Sequence, residues 1–127
     1  MNQYISLLSR VLICIIFLMA GFGKIMDPQG TMKYMMAMGM PFTGFFLICT
    51  IIIEIGGGLS LLLGYKAGWG ARALFLFMVP VTLIFHHNFA DKMQVILFLK
   101  NLAIMGALLQ ISMHGAGALS LDSYKKK

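Results

Sequence analysis

Charge is scarce in this 127-residue chain: only 11% of its residues are Asp, Glu, Lys or Arg, and only four are acidic. Soluble domains carry about 25% charged residues, and a small globule needs them to stay dissolved. Hydrophobic residues reach 60% and the mean hydropathy is +0.89, which excludes a soluble domain. With so few acids there is no acidic or disordered tail. There are two cysteines, Cys14 and Cys49, each inside an apolar run and without CxxC or metal-type spacing. They read as small packing residues, not as a disulfide or redox pair. Walker, GxGxxG, HExxH and nucleophile-elbow motifs are all missing. His86 and His114 fall near opposite ends of the apolar runs, so a haem with facing histidines is excluded as well.

What the chain does have is four apolar runs, at 4–24, 42–63, 68–89 and 94–113. Each is about as long as the 20 or so residues a helix needs to cross a bilayer. Ala20-Gly21-Phe22-Gly23-Lys24 offers no A-x-A cleavage site, so the first run reads as a retained helix. Short connections make neighbouring helices antiparallel. The expected fold is all-α: an integral membrane four-helix bundle, up-down-up-down, forming one domain over 1–127.

The longest connection, Ile25 to Pro41, carries its own helix punctuation. Asp27 can cap, Pro28 suits the first helical position, and Gly39 with Pro41 ends the segment. This predicts a short interfacial helix between the first two spans, with its methionines filling gaps. The alternative is a Cu(I) site on Met35, Met36 and Met38, because soft thioethers select Cu(I). No nearby Cys or His completes such a ligand set.

The net charge is +6, but the basic residues are spread over loops and helix ends instead of forming one face. Nucleic acid is therefore not an expected partner, and the lipid bilayer is. Placing both termini in the cytoplasm puts Arg10, Lys66, Arg72 and Lys125-Lys126-Lys127 inside, with Lys24, Lys33 and Lys92 outside. That orientation follows the positive-inside rule.

Glu54 stands midway along the second run, where a charge costs about 2.5–3.5 kcal/mol on insertion scales. Thr43, Leu47, Thr50, Glu54, Gly57 and Leu61 share its helical face, beside a small-residue ridge of Gly56, Ser60 and Gly64. Both features turn Glu54 into the bundle. Arg10, Cys14, Phe17, Gly21 and Lys24 line one face of the first run. If helix ends are level, Arg10 lies roughly 5 Å from the depth of Glu54, which predicts an Arg10–Glu54 pair. Lys24, His86, Lys100 and Asn101 gather in the other half-membrane as a polar pocket. For Lys24, His87 and Lys92 the favoured reading is snorkelling to headgroups.

Five motifs recur in a familiar order: Arg10-x₁₀-Gly21-Phe22-Gly23-Lys24, Glu54-Ile55-Gly56-Gly57-Gly58, Phe85-His86-His87-Asn88-Phe89, Phe98-Leu99-Lys100-Asn101, and the tail His114-Gly115-Ala116-Gly117-Ala118. Together they resemble the DoxX family of small bacterial inner-membrane proteins. The resemblance implies a redox-associated membrane subunit, and its characteristic positions map onto Arg10, Lys24, Glu54, His86, Lys100 and Asn101. The function expected on that basis is a polar intramembrane pocket for a quinone or a small thiol or sulfur compound. Glu54 and His86 would handle protons there, and Arg10, Lys24, Lys100 and Asn101 would line the pocket. Expected partners are membrane or periplasmic redox proteins, or a second copy of the chain. No resident metal or other cofactor is expected. The other class consistent with the sequence is a small-solute transporter or a membrane scaffold. If the orientation is right, a periplasm-active reporter fused after Lys127 gives no signal, and strong activity in that fusion refutes it.

Overall fold

The computed structural model describes residues 3–85 and 89–125. Its helices run in the order α1 (Gln3–Met26), α2 (Pro28–Ala37), α3 (Thr43–Leu63), α4 (Ala67–Phe85), α5 (Lys92–His114) and α6 (Leu121–Lys125). No strand occurs among the described residues. Four of the helices, α1, α3, α4 and α5, are long and apolar enough to cross a membrane. They run up-down-up-down, so the start of α1 and the end of α5 share one end of the bundle, here called the terminal end. The short α2 lies at the other end, between the first two spans, as the helix punctuation of that segment predicts.

Local chemistry sets the helix ends. Asp27 accepts the Gly30 N–H at 3.0 Å and Pro28 opens α2. Asp91 accepts the Met93 N–H at 2.9 Å to start α5. Gly64 ends α3 in the left-handed region at φ 70°, a conformation that needs no Cβ.

The spans pack as a curled row: α1 on α3, α3 on α4, and α4 on α5, while α1 and α5 scarcely meet. Cys14, Phe17, Leu61, Leu74, Met78 and Leu108 fill the core. Large apolar side chains such as Leu12, Ile48, Leu76 and Ile96 face outward, as a lipid-facing surface requires. Close approach of α1 and α3 depends on glycine. A Cβ on Gly21 would stand 2.7 Å from Ile55 Cδ1, and one on Gly58 would stand 2.8 Å from Leu18 Cδ2. Gly57 meets Leu74 of α4 in the same way. The expected ridge is thus shifted, because Gly56 is exposed and faces open space.

These contacts also stagger the helices. Gly21 lies opposite Glu54 and Ile55, whereas Arg10 lies opposite Gly64, past the last turn of α3. Arg10 is 1% exposed. Its Nη1 donates to the Leu61 carbonyl at 2.8 Å and the Leu62 carbonyl at 3.3 Å, and Nη2 donates to the Leu119 carbonyl. The first two are carbonyls that the end of α3 leaves without helical partners. The third lies in the tail, which folds back over the terminal end of the bundle.

The tail also caps α4. Asp122 accepts the Lys66 N–H at 2.6 Å and the Ala67 N–H at 3.0 Å, and its own N–H donates to the Gly64 carbonyl at 2.9 Å. A carboxylate at a helix N-terminus satisfies unpaired donors and opposes the helix dipole. Asp122→Ala is expected to cost about 1–2 kcal/mol, read as a lower thermal midpoint in detergent. An unchanged midpoint shows that the cap does not hold the tail.

Candidate functional site

Glu54 is buried on the inner face of α3 together with Leu47, Gly57 and Leu61, as the face pattern predicts. Its partner is not Arg10. The Lys24 ammonium stands 2.6 Å from Glu54 Oε1, with side-chain exposures of 23% and 5%. The sequence reading assumed level helix ends, and the stagger of α1 on α3 removes that assumption. Arg10 lies ten residues along α3 from Glu54, about 15 Å away, and its Nη1 and Nη2 donate to backbone carbonyls. Gly21 brings α1 close at the level of Glu54, and Lys24, one turn further on, reaches across. Lys24 therefore turns inward instead of snorkelling.

The pair lies in a cavity of about 630 Å³. Ile16, Ala20 and Gly23 line it from α1, Thr50 from α3, Phe77 and Val81 from α4, and Ile104 from α5. Asp27, Tyr34 and Met35 add a wall from α2 and its cap. Lys100 and Asn101 also line it, so four of the expected site residues meet in one place: Lys24, Glu54, Lys100 and Asn101. Asn101 is buried and its Nδ2 donates to Thr82 Oγ1 at 3.1 Å. That bond holds the amide in place between α4 and α5. Lys100 has neither an ion pair nor a hydrogen bond among the described residues.

The remaining expected residues lie elsewhere. Arg10 belongs to the terminal end and does not line the cavity. His86 lies outside the described residues, as do His87 and Asn88. Of the methionines weighed as copper ligands, Met35 lines the cavity, Met36 is exposed and Met38 is half-buried. Among the described residues, no three His, Cys, Asp or Glu side chains form a group able to hold a metal ion. Thr50, placed on the face of Glu54, does reach the site. Thr82 was missed, although a lone hydroxyl among Val81, Leu83 and Ile84 is a signal that could have found it.

The arrangement is a buried ion pair beside a second cation and a fixed amide, inside a largely apolar hollow that also presents Asp27, Tyr34 and Thr50. It can seat a small polar group and exchange a proton with it through Glu54. The sequence profile of the DoxX family matches residues 5–87 of this chain. The chain belongs to the DoxX family. This DoxX protein is 40% identical over 121 residues to the inner membrane protein YqjF of Escherichia coli, covering 95% of this chain and 92% of that one. It is 32% identical over 122 residues to the inner membrane protein YphA of the same organism, covering 91% and 86% respectively. No solved structure gives a significant match.

A double-mutant cycle tests the pairing. Lys24→Met or Glu54→Leu alone is expected to cost about 3 kcal/mol, the low end for breaking a buried pair because Lys24 keeps some exposure. The double variant should cost less than the sum. Arg10→Leu combined with Glu54→Leu should be additive, since the two sites share no partner. Thermal unfolding in detergent reads both cycles. Coupling of Glu54 to Arg10 instead of Lys24 would overturn the assignment.

Proposed function

We propose that this DoxX protein is an inner-membrane, redox-associated subunit whose cavity binds a quinone or a small thiol or sulfur compound. The observation that carries this reading is the Lys24–Glu54 pair standing with Lys100 and Asn101 in one largely apolar cavity. An intramembrane ionisable residue is a functional candidate by default, and pockets with a few convergent polar groups in apolar walls are the usual form of small-molecule sites.

In this reading Lys24 holds the Glu54 carboxylate beside the bound polar group, and Glu54 passes protons to and from it. Lys100 and Asn101 orient the group from the opposite wall. Quinone chemistry couples electron transfer to proton transfer, and a partner oxidoreductase in the membrane or periplasm would supply the electrons. The Lys/Arg bias favours cytoplasmic termini, and in that orientation the cavity lies in the outer half of the bilayer. The expected His86 role in proton handling stays part of the proposal, although His86 lies outside the described residues. The terminal end is closed by Arg10 and the returning tail, which supports binding over passage of a solute through the bundle.

The test is to purify the chain from native membranes, extract it with organic solvent and separate the extract by chromatography. Near-stoichiometric quinone is expected in the parent protein, falling about tenfold in Glu54→Gln, which matches the loss of one interaction with a charged group. Quinone no higher than in an unrelated membrane protein of equal size, together with no binding of cysteine or thiosulfate, refutes the reading.

A further inference from the structure

Among the described residues, the cavity lies along a poorly closed seam between α1 and α5. The spans form a row in which α1 and α5 are the outer members, and these two barely touch. At the terminal end the tail covers the seam: Gly117 packs against Ser6, and Leu119 bonds to Arg10. In the other half the seam walls are Ala20 and Gly23 of α1 facing Lys100 and Ile104 of α5. A Cβ on Gly23 would meet nothing within 4 Å. Small residues on a helix face usually mark close helix contact, yet here they border open space.

Lys100 is the second observation. It stands eight residues beyond the start of α5, about 12 Å along the helix. A cation at that depth is costly without a partner, and Lys100 has none among the described residues. Lys24 and Glu54 pair with each other, so Lys100 is the cation on the cavity wall that has no partner among the described residues.

We infer that the ligand is an amphiphile that reaches the cavity sideways from the bilayer through the α1–α5 seam. Its polar carbonyl or hydroxyl head accepts from Lys100 beside the Lys24–Glu54 pair, and its apolar chain lies over Ala20 and Gly23 towards the lipid. This rests on the quinone reading above and narrows it to tailed quinones, setting aside small water-soluble thiols.

The test uses the full chain in lipid nanodiscs, with decylubiquinone and its tail-less counterpart 2,3-dimethoxy-5-methyl-1,4-benzoquinone as probes. Binding is measured above that of empty nanodiscs. The tailed probe should bind at least about tenfold tighter, the effect of burying about two methylenes. Gly23→Phe fills the seam and should weaken the tailed probe about tenfold more than the tail-less one. Ala20→Phe serves the same purpose if the first variant does not fold. Lys100→Met should weaken both probes about tenfold, and Lys100→Arg should restore them. Equal affinity for both probes, or equal losses in the seam variants, overturns lateral access while leaving a quinone pocket in place. Loss of neither probe in Lys100→Met overturns its role as head-group donor. Binding of neither probe to the parent protein overturns both this inference and the quinone reading.

Discussion

The register of α1 on α3 decides where the charges of this bundle go. A membrane interior offers no water to a buried polar group, so leaving one without a partner is costly. Gly21 and Gly58 let the two helices approach closely enough to interlock with Ile55 and Leu18. Interlocked helices cannot slide, and so the level of each side chain is settled. Arg10 falls at the frayed end of α3 and Lys24 falls at Glu54. A shift of one turn, about 5.4 Å, would strand both cations and leave the carboxylate alone. Packing and electrostatics therefore select the same register, and each makes the other more specific.

That register also makes the two ends of the bundle unlike. At the terminal end, Arg10 ties α1 to the end of α3 and to Leu119 of the tail, and Asp122 ties the tail to the start of α4 and to the Gly64 carbonyl. At the other end α1 stops at Met26, about two turns short of the start of α3 in the register that Gly21 sets, and α2 fills the step as a wall. A helix laid across a step closes it less fully than a span packed along its length. The cavity lies in the space that remains. The stagger that leaves the first two or so turns of α3 without α1 beside them is thus what makes room for a site.

The spans, the α2 punctuation and the inward face of α3 were legible in the sequence because each rests on local periodicity or local capping chemistry. The buried face of α1, Arg10, Cys14, Phe17 and Gly21, was legible for the same reason. The pairing of Arg10 was not, because helix stagger is a property of two interlocked surfaces and no single helix encodes it. The role of Asp122 was hidden likewise: its partners are the N–H groups of Lys66 and Ala67, far away in the chain. Lys100 and Asn101 do line one cavity with Lys24 and Glu54, an adjacency that depth and helix face anticipate. Thr82 was missed because a hydroxyl in an apolar span can satisfy itself on its own helix, so its sequence context does not demand a partner across the bundle.

Lys24 and Lys100 show why composition alone does not assign a role in a membrane. Both are lysines in the half of the bundle away from the termini, and both line the cavity. Lys24 closes a salt bridge and is half-buried; Lys100 is exposed and free of protein partners among the described residues. A paired lysine fixes a local charge and can be read as architecture. An unpaired one, held at depth by the helix that carries it, keeps its hydrogen-bonding capacity unspent. In water that capacity would be met by solvent and would carry no information. Inside a bilayer it must be met by a headgroup reached through a long stem or by something lodged in the cavity. The neighbouring Asn101 is fixed by Thr82, and a wall with one rigid amide and one free ammonium is suited to holding a polar group in a single orientation.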